Sequence, residues 1–284
     1  MNRRIFALLL AAILVLALFG CAKKDAAQEQ TELLATTQPV YQLAKALTDG
    51  TGLSVSLLIS EPVSCLHDYT LTVSQMEKIE NAKLVLESGL GLEDFMEDAL
   101  SGKVRIVVSS TVSTLEGDEG IDPHWWLDPT RFRAAAKLTA QELGSQYPEF
   151  TDQIAENFEA FDEKLTEIQN YGDEALKALS CRELVTFHDG FSYFADSFGL
   201  TIAAAMEVES GSEPSAKELE AIISIVENGK IPAVFTETNG ETGSAQVVAN
   251  ETDCKVYTLD MAISSEDYFA AMRENINTIK EALG

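Results

Sequence analysis

Short apolar, β-branched runs alternate with helical stretches along nearly the whole chain, and that alternation admits few folds. In the first half the runs fall at 33–37, 54–59, 84–89 and 104–110; in the second they fall at 184–188, 201–208, 233–237 and 255–259. Helical patterns at 39–48, 73–81, 216–227 and 245–250 separate them. Strand–helix–strand alternation predicts parallel sheets with helices on both faces. Four strands in each half predict an α/β protein of two lobes, each a four-stranded parallel sheet flanked by helices. No strong internal sequence repeat accompanies this symmetry.

The stretch between the halves has another period. Phe150, Ile154, Phe158, Phe161, Leu165, Ile168, Leu176 and Leu179 recur mostly at steps of three or four, with Glu, Asp, Gln and Lys between them. This spacing predicts one long amphipathic helix entered after Pro148. Such a helix spans about 45 Å at its usual rise, enough to cross a domain, with Gly172 as a candidate kink. A stiff connection of this kind allows only limited lobe motion. The expected organisation is a first lobe over 32–147, a linking helix over 148–180 and a second lobe over 181–284.

The beginning reads as an export signal. Met1-Asn-Arg-Arg is followed by an apolar run over 5–19 and then by Gly20-Cys21. Charge, apolar core and small residue come in the order of a signal peptide over 1–20. The run is short for a membrane span, which needs roughly 20 apolar residues. Leu18-Phe19-Gly20-Cys21 resembles a bacterial lipobox, which implies lipidation of Cys21 and a polar stalk over 21–31. An uncleaved anchor is the alternative; in both cases the chain faces outward, tethered to the membrane at its start. The formal net charge of −26 argues against nucleic acid or an anionic membrane surface as a partner. With Cys21 lipidated, Cys65, Cys181 and Cys254 remain, so at most one disulfide forms within the chain. Cys65 reads as a small buried residue, with a spare ligand as the alternative.

Only three histidines occur, and all fall near strand ends: His67, His124 in Asp122-Pro-His-Trp-Trp-Leu-Asp, and His188 in Thr186-Phe-His-Asp-Gly. Ligands of open parallel sheets bind beyond the carboxyl ends of the strands. Asp260 directly follows the last expected strand and Glu237 ends the one before it. If the two sheet edges face each other, these groups converge between the lobes. Neutral imidazole is the commonest protein ligand for transition metals. The expected ligand set is therefore His67, His124, His188 and Asp260, with Glu237 as an alternative ligand or a partner orienting an imidazole. Asp68 and Asp189 are expected acceptors for the adjacent rings. Trp125 and Trp126 are expected to wall the site, since indole offers no free lone pair.

At these motifs the chain resembles a family: the lipid-anchored solute-binding proteins of bacterial ABC importers, the zinc and manganese type. Ala35-Thr-Thr-Gln-Pro-Val-Tyr resembles the opening strand and turn, and His67-Asp-Tyr-Thr-Leu-Thr-Val-Ser the first ligand block. Asp122-Pro-His-Trp-Trp-Leu-Asp-Pro resembles the second and is the most specific. Phe187-His-Asp-Gly-Phe-Ser-Tyr-Phe resembles the third, and Leu259-Asp260 the carboxylate position. Later blocks are matched by Glu213-Pro-Ser-Ala-Lys-Glu-Leu, Ala233-Val-Phe-Thr-Glu-Thr and Asp267-Tyr-Phe-Ala-Ala-Met-Arg-Glu-Asn. The resemblance implies two α/β lobes on a rigid helix, a membrane permease as partner and a monomeric protein without catalysis. Many zinc-binding members carry a histidine-rich loop near the second ligand; here Thr114-Leu-Glu-Gly-Asp-Glu-Gly is acidic instead. A histidine at the third ligand position leans toward zinc and an acid there toward manganese. His188 therefore favours Zn²⁺ over Mn²⁺, which prefers more oxygen. The rival readings are a zinc hydrolase with three histidines and Glu237 as base, and a surface adhesin.

Overall fold

The structure, a computed structural model, describes residues 32–61, 66, 69–117, 120–206, 214–238 and 240–284. The expected signal, Cys21, the stalk, Cys65, His67, Asp68 and Glu213 lie outside these residues.

In the first lobe β1 (Leu33–Ala35), β2 (Val55–Leu57), β3 (Leu84–Glu87) and β4 (Val104–Val107) form one parallel sheet in the order β2-β1-β3-β4. The central strands β1 and β3 are buried along their whole length. This is why they read as continuous apolar runs rather than alternating ones. Helices α1 (Gln38–Leu47), α2 (Val73–Asn81) and α3 (Glu97–Leu100) join them. Thr72 opens α2 with a capping box, its hydroxyl accepting from the Gln75 amide while the Gln75 side chain accepts from the Thr72 amide.

The second lobe repeats the plan. Strands β7 (Glu183–Thr186), β8 (Thr201–Ala205), β9 (Ala233–Glu237) and β10 (Lys255–Leu259) are parallel in the order β8-β7-β9-β10, the same path as the first sheet. The helices α6 (Ser192–Ser197), α7 (Ala216–Gly229) and α8 (Gly243–Thr252) connect them, and α9 (Tyr268–Leu283) closes the chain. In each sheet the strand order reverses between the first and third strands of the lobe. A ligand crevice is expected at that point.

Most expected strands end earlier than the apolar runs do. In the run over 104–110 the regular strand ends at Val107; the Val108 and Ser109 amides still reach the Glu87 and Ser88 carbonyls before the Ser110 and Val112 amides turn back to the Val107 and Ser109 carbonyls. Apolar character extends past the ladder because these turns are also packed. A small hairpin, β5 (Glu116–Gly117) and β6 (Gly120–Ile121), has no signal of alternation and was not expected.

Helix α4 (Pro129–Gln146) starts on an Asp128 cap, whose carboxylate accepts from the Thr130 and Arg131 amides. A 3₁₀ turn over Pro148–Phe150 then leads into the long helix α5 (Thr151–Ala175). At 25 residues it spans about 38 Å, shorter than the expected element because the chain leaves the helix at Leu176. Its buried line is Ile154, Phe161, Leu165, Ile168 and Gly172. Gly172 lies within the helix, and a Cβ there would stand 2.2 Å from the Phe198 ring, so the glycine admits a second-lobe aromatic.

An aromatic stack ties the lobes to this helix. The Phe132 ring meets Tyr268 at 4.8 Å, Trp125 at 5.4 Å and Phe161 at 5.5 Å, all edge to face, and Phe161 meets Phe269 at 5.4 Å. One apolar core runs through both lobes and α5, with a second, smaller cluster in the outer part of the second lobe. Continuous packing of this kind favours small displacements over wide opening.

Candidate metal centre

His124 and His188 come from different lobes, and their rings meet at 5.3 Å, edge to face. Both residues are buried. His188 follows β7 and Glu237 ends β9, the two strands that flank the reversal of the second sheet. His124 opens a 3₁₀ turn over Trp125–Leu127, well beyond β4. The turn is possible because Asp122 folds back: its Oδ1 accepts from the His124 amide at 2.8 Å.

The same oxygen lies 2.8 Å from His124 Nδ1. Asp122 is buried, and a ring that donates Nδ1–H to its carboxylate would offer Nε2 to a metal. Asp122 was not among the expected partners. The signal was present, since an aspartate two residues before a ring can bond both its amide and its nitrogen. On the other side Glu237 Oε1 lies 3.6 Å from His188 Nδ1. Burial raises the Glu237 carboxyl to about 8, so at neutral pH it faces the ring mainly as a neutral group. Both imidazoles thus have Nδ1 directed at a carboxyl group.

Gly190 makes this approach possible. A Cβ there would stand 2.3 Å from the Met261 methyl, 2.8 Å from His188 Cδ2 and 3.0 Å from His124 Cε1. The chain after β10 therefore reaches the same spot as the two histidines, through Met261. Asp260, its neighbour, directs its carboxylate into its own loop, accepting from the Ala262 amide at 2.7 Å and from the Ser265 hydroxyl. Asn275 brackets its backbone, accepting from the Asp260 amide and donating to its carbonyl, each at 2.7 Å.

The other expected residues divide. The Trp126 ring stands edge to face with His124 at 5.4 Å, and its indole N–H donates to the Met261 carbonyl at 2.8 Å. Trp125 faces away, donating to Ser88 Oγ at 3.1 Å and packing on Phe132. Asp189 Oδ2 lies 3.3 Å from where a Cβ on Gly117 would be, against the unexpected hairpin. Cys181 and Cys254 are free thiols. Among the described residues no three His, Cys, Asp or Glu side chains form a group that could hold a metal ion.

The reversal point of the first sheet holds a carboxylate that sequence reasoning missed. Glu93 accepts from the Thr36 hydroxyl at 2.7 Å, the Ser88 amide at 2.7 Å and the Gly89 amide at 2.9 Å. Burial raises its carboxyl to about 7 against the pull of those donors. The folded chain then binds this proton more tightly than the unfolded one. Stability from Glu93 is full below its ordinary value and declines as pH climbs toward about 7. Glu93→Gln has no such titration. The urea midpoint of the natural protein is therefore expected to fall relative to the variant's between about pH 5 and about pH 8. A difference that stays constant would show that Glu93 titrates at an ordinary value.

Two like-ordered α/β lobes joined by one long helix, with paired buried histidines between them, have the architecture of two-lobe solute-binding proteins. The chain belongs to the family of the periplasmic zinc-uptake complex component A, ZnuA, whose model matches residues 33–282. It is 26% identical to the zinc-binding lipoprotein AdcA of Streptococcus pneumoniae over 96% of this chain and 60% of that one. It is 26% identical to the zinc-binding protein TroA of Treponema pallidum over 92% of this chain and 91% of that one. The first curated relatives it matches are longer, and the chain spans about 60% of their length. A crystal structure of ZnuA superposes with a TM-score of 0.80 at 27% identity, covering 89% of this chain and 99% of that one.

Proposed function

We propose that this protein captures a divalent transition metal outside the cytoplasmic membrane, zinc in preference to manganese, and delivers it to the permease of an ABC importer. The observation that carries this reading is the His124–His188 pair: two buried imidazoles from separate lobes, each with Nδ1 near a carboxyl group. With Nδ1 of His124 against the Asp122 carboxylate, Nε2 of His124 is the ligand atom in this reading. His67 and Asp260 complete a set of three imidazoles and a carboxylate, which suits tetrahedral zinc. Glu237 and Asp122 orient rings in this reading. Family membership and two relatives named as zinc-binding support the same cargo.

In the same proposal Cys21 carries a lipid that keeps the protein beside its permease. The lobes are 32–147 and 181–284, joined by the helical segment between, and one chain works alone. Ligands drawn from both lobes make occupancy alter lobe arrangement, which the permease reads.

Zinc titration tests this directly, because Trp126 stands against His124. Zinc is expected to change the intrinsic fluorescence with one-to-one stoichiometry. Imidazoles bind only when neutral, so affinity is expected to fall below about pH 6.5. An affinity that stays level from about pH 8 to about pH 5.5 would count against histidine ligation.

A further inference from the structure

Asp260 belongs to the second lobe by sequence, yet the segment that carries it is fastened to the first. Gln42, on α1, makes the main attachment. Its Nε2 donates to the Ser265 carbonyl at 2.7 Å, and its Oε1 accepts from the Tyr268 amide at 2.8 Å. Tyr268 is the first residue of α9, so its N–H has no partner within its own helix. One amide side chain therefore satisfies a donor and an acceptor of the other lobe, 223 and 226 residues away in sequence.

Two more first-lobe contacts hold the same segment. The Trp126 indole donates to the Met261 carbonyl, and the Tyr268 hydroxyl donates to the Trp126 carbonyl at 2.8 Å. Trp126 is two residues from His124, so the 260–268 segment is tied to the histidine turn at Met261 and Tyr268, and to α1 at Ser265 and Tyr268. Ser265 is the residue whose hydroxyl also holds the Asp260 carboxylate. Gln42 thus grips the backbone of Asp260's own partner.

We propose that Gln42 is a positioning residue for metal retention: it straps the Asp260 segment across the lobe boundary and so sets where the Asp260 carboxylate stands relative to His124. This inference rests on Asp260 being a ligand, as in the function proposed above. Loss of the strap removes the tie to α1 and leaves the Trp126 contacts to hold the segment. The carboxylate arm then detaches more readily, and the metal leaves faster.

The test uses Gln42→Ala and Gln42→Glu, the latter keeping the acceptor and losing the donor. Zinc release is followed by rapid mixing with excess chelator, and the visible spectrum of the cobalt(II) complex reports the ligand set. Gln42→Ala is expected to release zinc about tenfold faster, at the low end of what losing a supporting partner costs. Gln42→Glu should fall between it and the natural protein. The cobalt spectrum of Gln42→Ala should move toward that of Asp260→Ala, a change that loss of fold stability alone would not produce. Adding Gln42→Ala to Asp260→Ala should accelerate release no further. An unchanged rate and spectrum in Gln42→Ala, or a further acceleration in the double variant, would overturn the strap. A natural chain that binds no zinc would overturn the proposed function instead.

Discussion

Replacing His188 by alanine is expected to weaken zinc binding by more than about a hundredfold while leaving the fold intact. The magnitude follows from comparison. Loss of a group that merely orients a ligand costs roughly 10–100-fold in affinity. His188 is proposed as a ligand itself, and its removal leaves His124 without the imidazole that faces it at 5.3 Å. The side chain sits at the lobe boundary, beyond the end of β7, so no strand pairing is lost with it. Competition against a chromophoric chelator gives the affinity, and the melting curve of the metal-free protein checks the fold. A variant that binds zinc within about tenfold of the natural protein would remove His188 from the ligand set.

The second large effect is on stability. Phe132→Ala is expected to destabilise the protein by about 3–5 kcal/mol, the range for deleting a fully buried aromatic ring. Phe132 has no exposed surface and joins Trp125, Phe161 and Tyr268, which come from the histidine turn, the long helix and the closing helix. The cavity would open where the lobes meet α5, and relaxation there is limited because all three neighbours are themselves buried. Since whole domains are stable by only about 5–15 kcal/mol, this is a large fraction of the total. Urea unfolding of the metal-free protein measures it. A loss below about 1 kcal/mol would mean that the stack repacks or contributes little.

The folding pattern was legible because buried parallel strands have a plain signature. β9 and β10 end where their apolar runs end, the central strands β1 and β3 sit inside theirs, and β7 starts one residue before its run. What was overestimated is the carboxyl ends, where Thr36, Thr37, Ser88 and Ser109 are buried beyond the regular strands and only single backbone hydrogen bonds carry the ladder on. The amphipathic line of α5 was readable for the same reason, since its apolar positions face a core.

The site was legible in part. His188 stands just beyond β7 as its strand-end position suggested, whereas His124 reaches it from the 3₁₀ turn that follows the hairpin, well beyond β4. Partners were harder, because they depend on side-chain direction. Adjacency suggested Asp189, which lies against Gly117, whereas the carboxylate on His124 is Asp122, two residues earlier. Trp125 and Trp126 look alike in sequence, but the 3₁₀ turn sends one to Ser88 and the other to His124. Glu93 and Gln42 carry no local mark at all. Glu93 stands in an acidic stretch and Gln42 on an amphipathic helix, and only tertiary packing makes one a buried carboxyl and the other an interlobe tie.

X-ray absorption at the zinc edge, on protein loaded with one equivalent, is the most direct measurement of the central claim. The account predicts a first shell of nitrogen and oxygen at about 2.0–2.1 Å, with the outer scattering of three imidazoles and no sulfur. A sulfur shell near 2.3 Å, or scattering from no more than one imidazole, would contradict it.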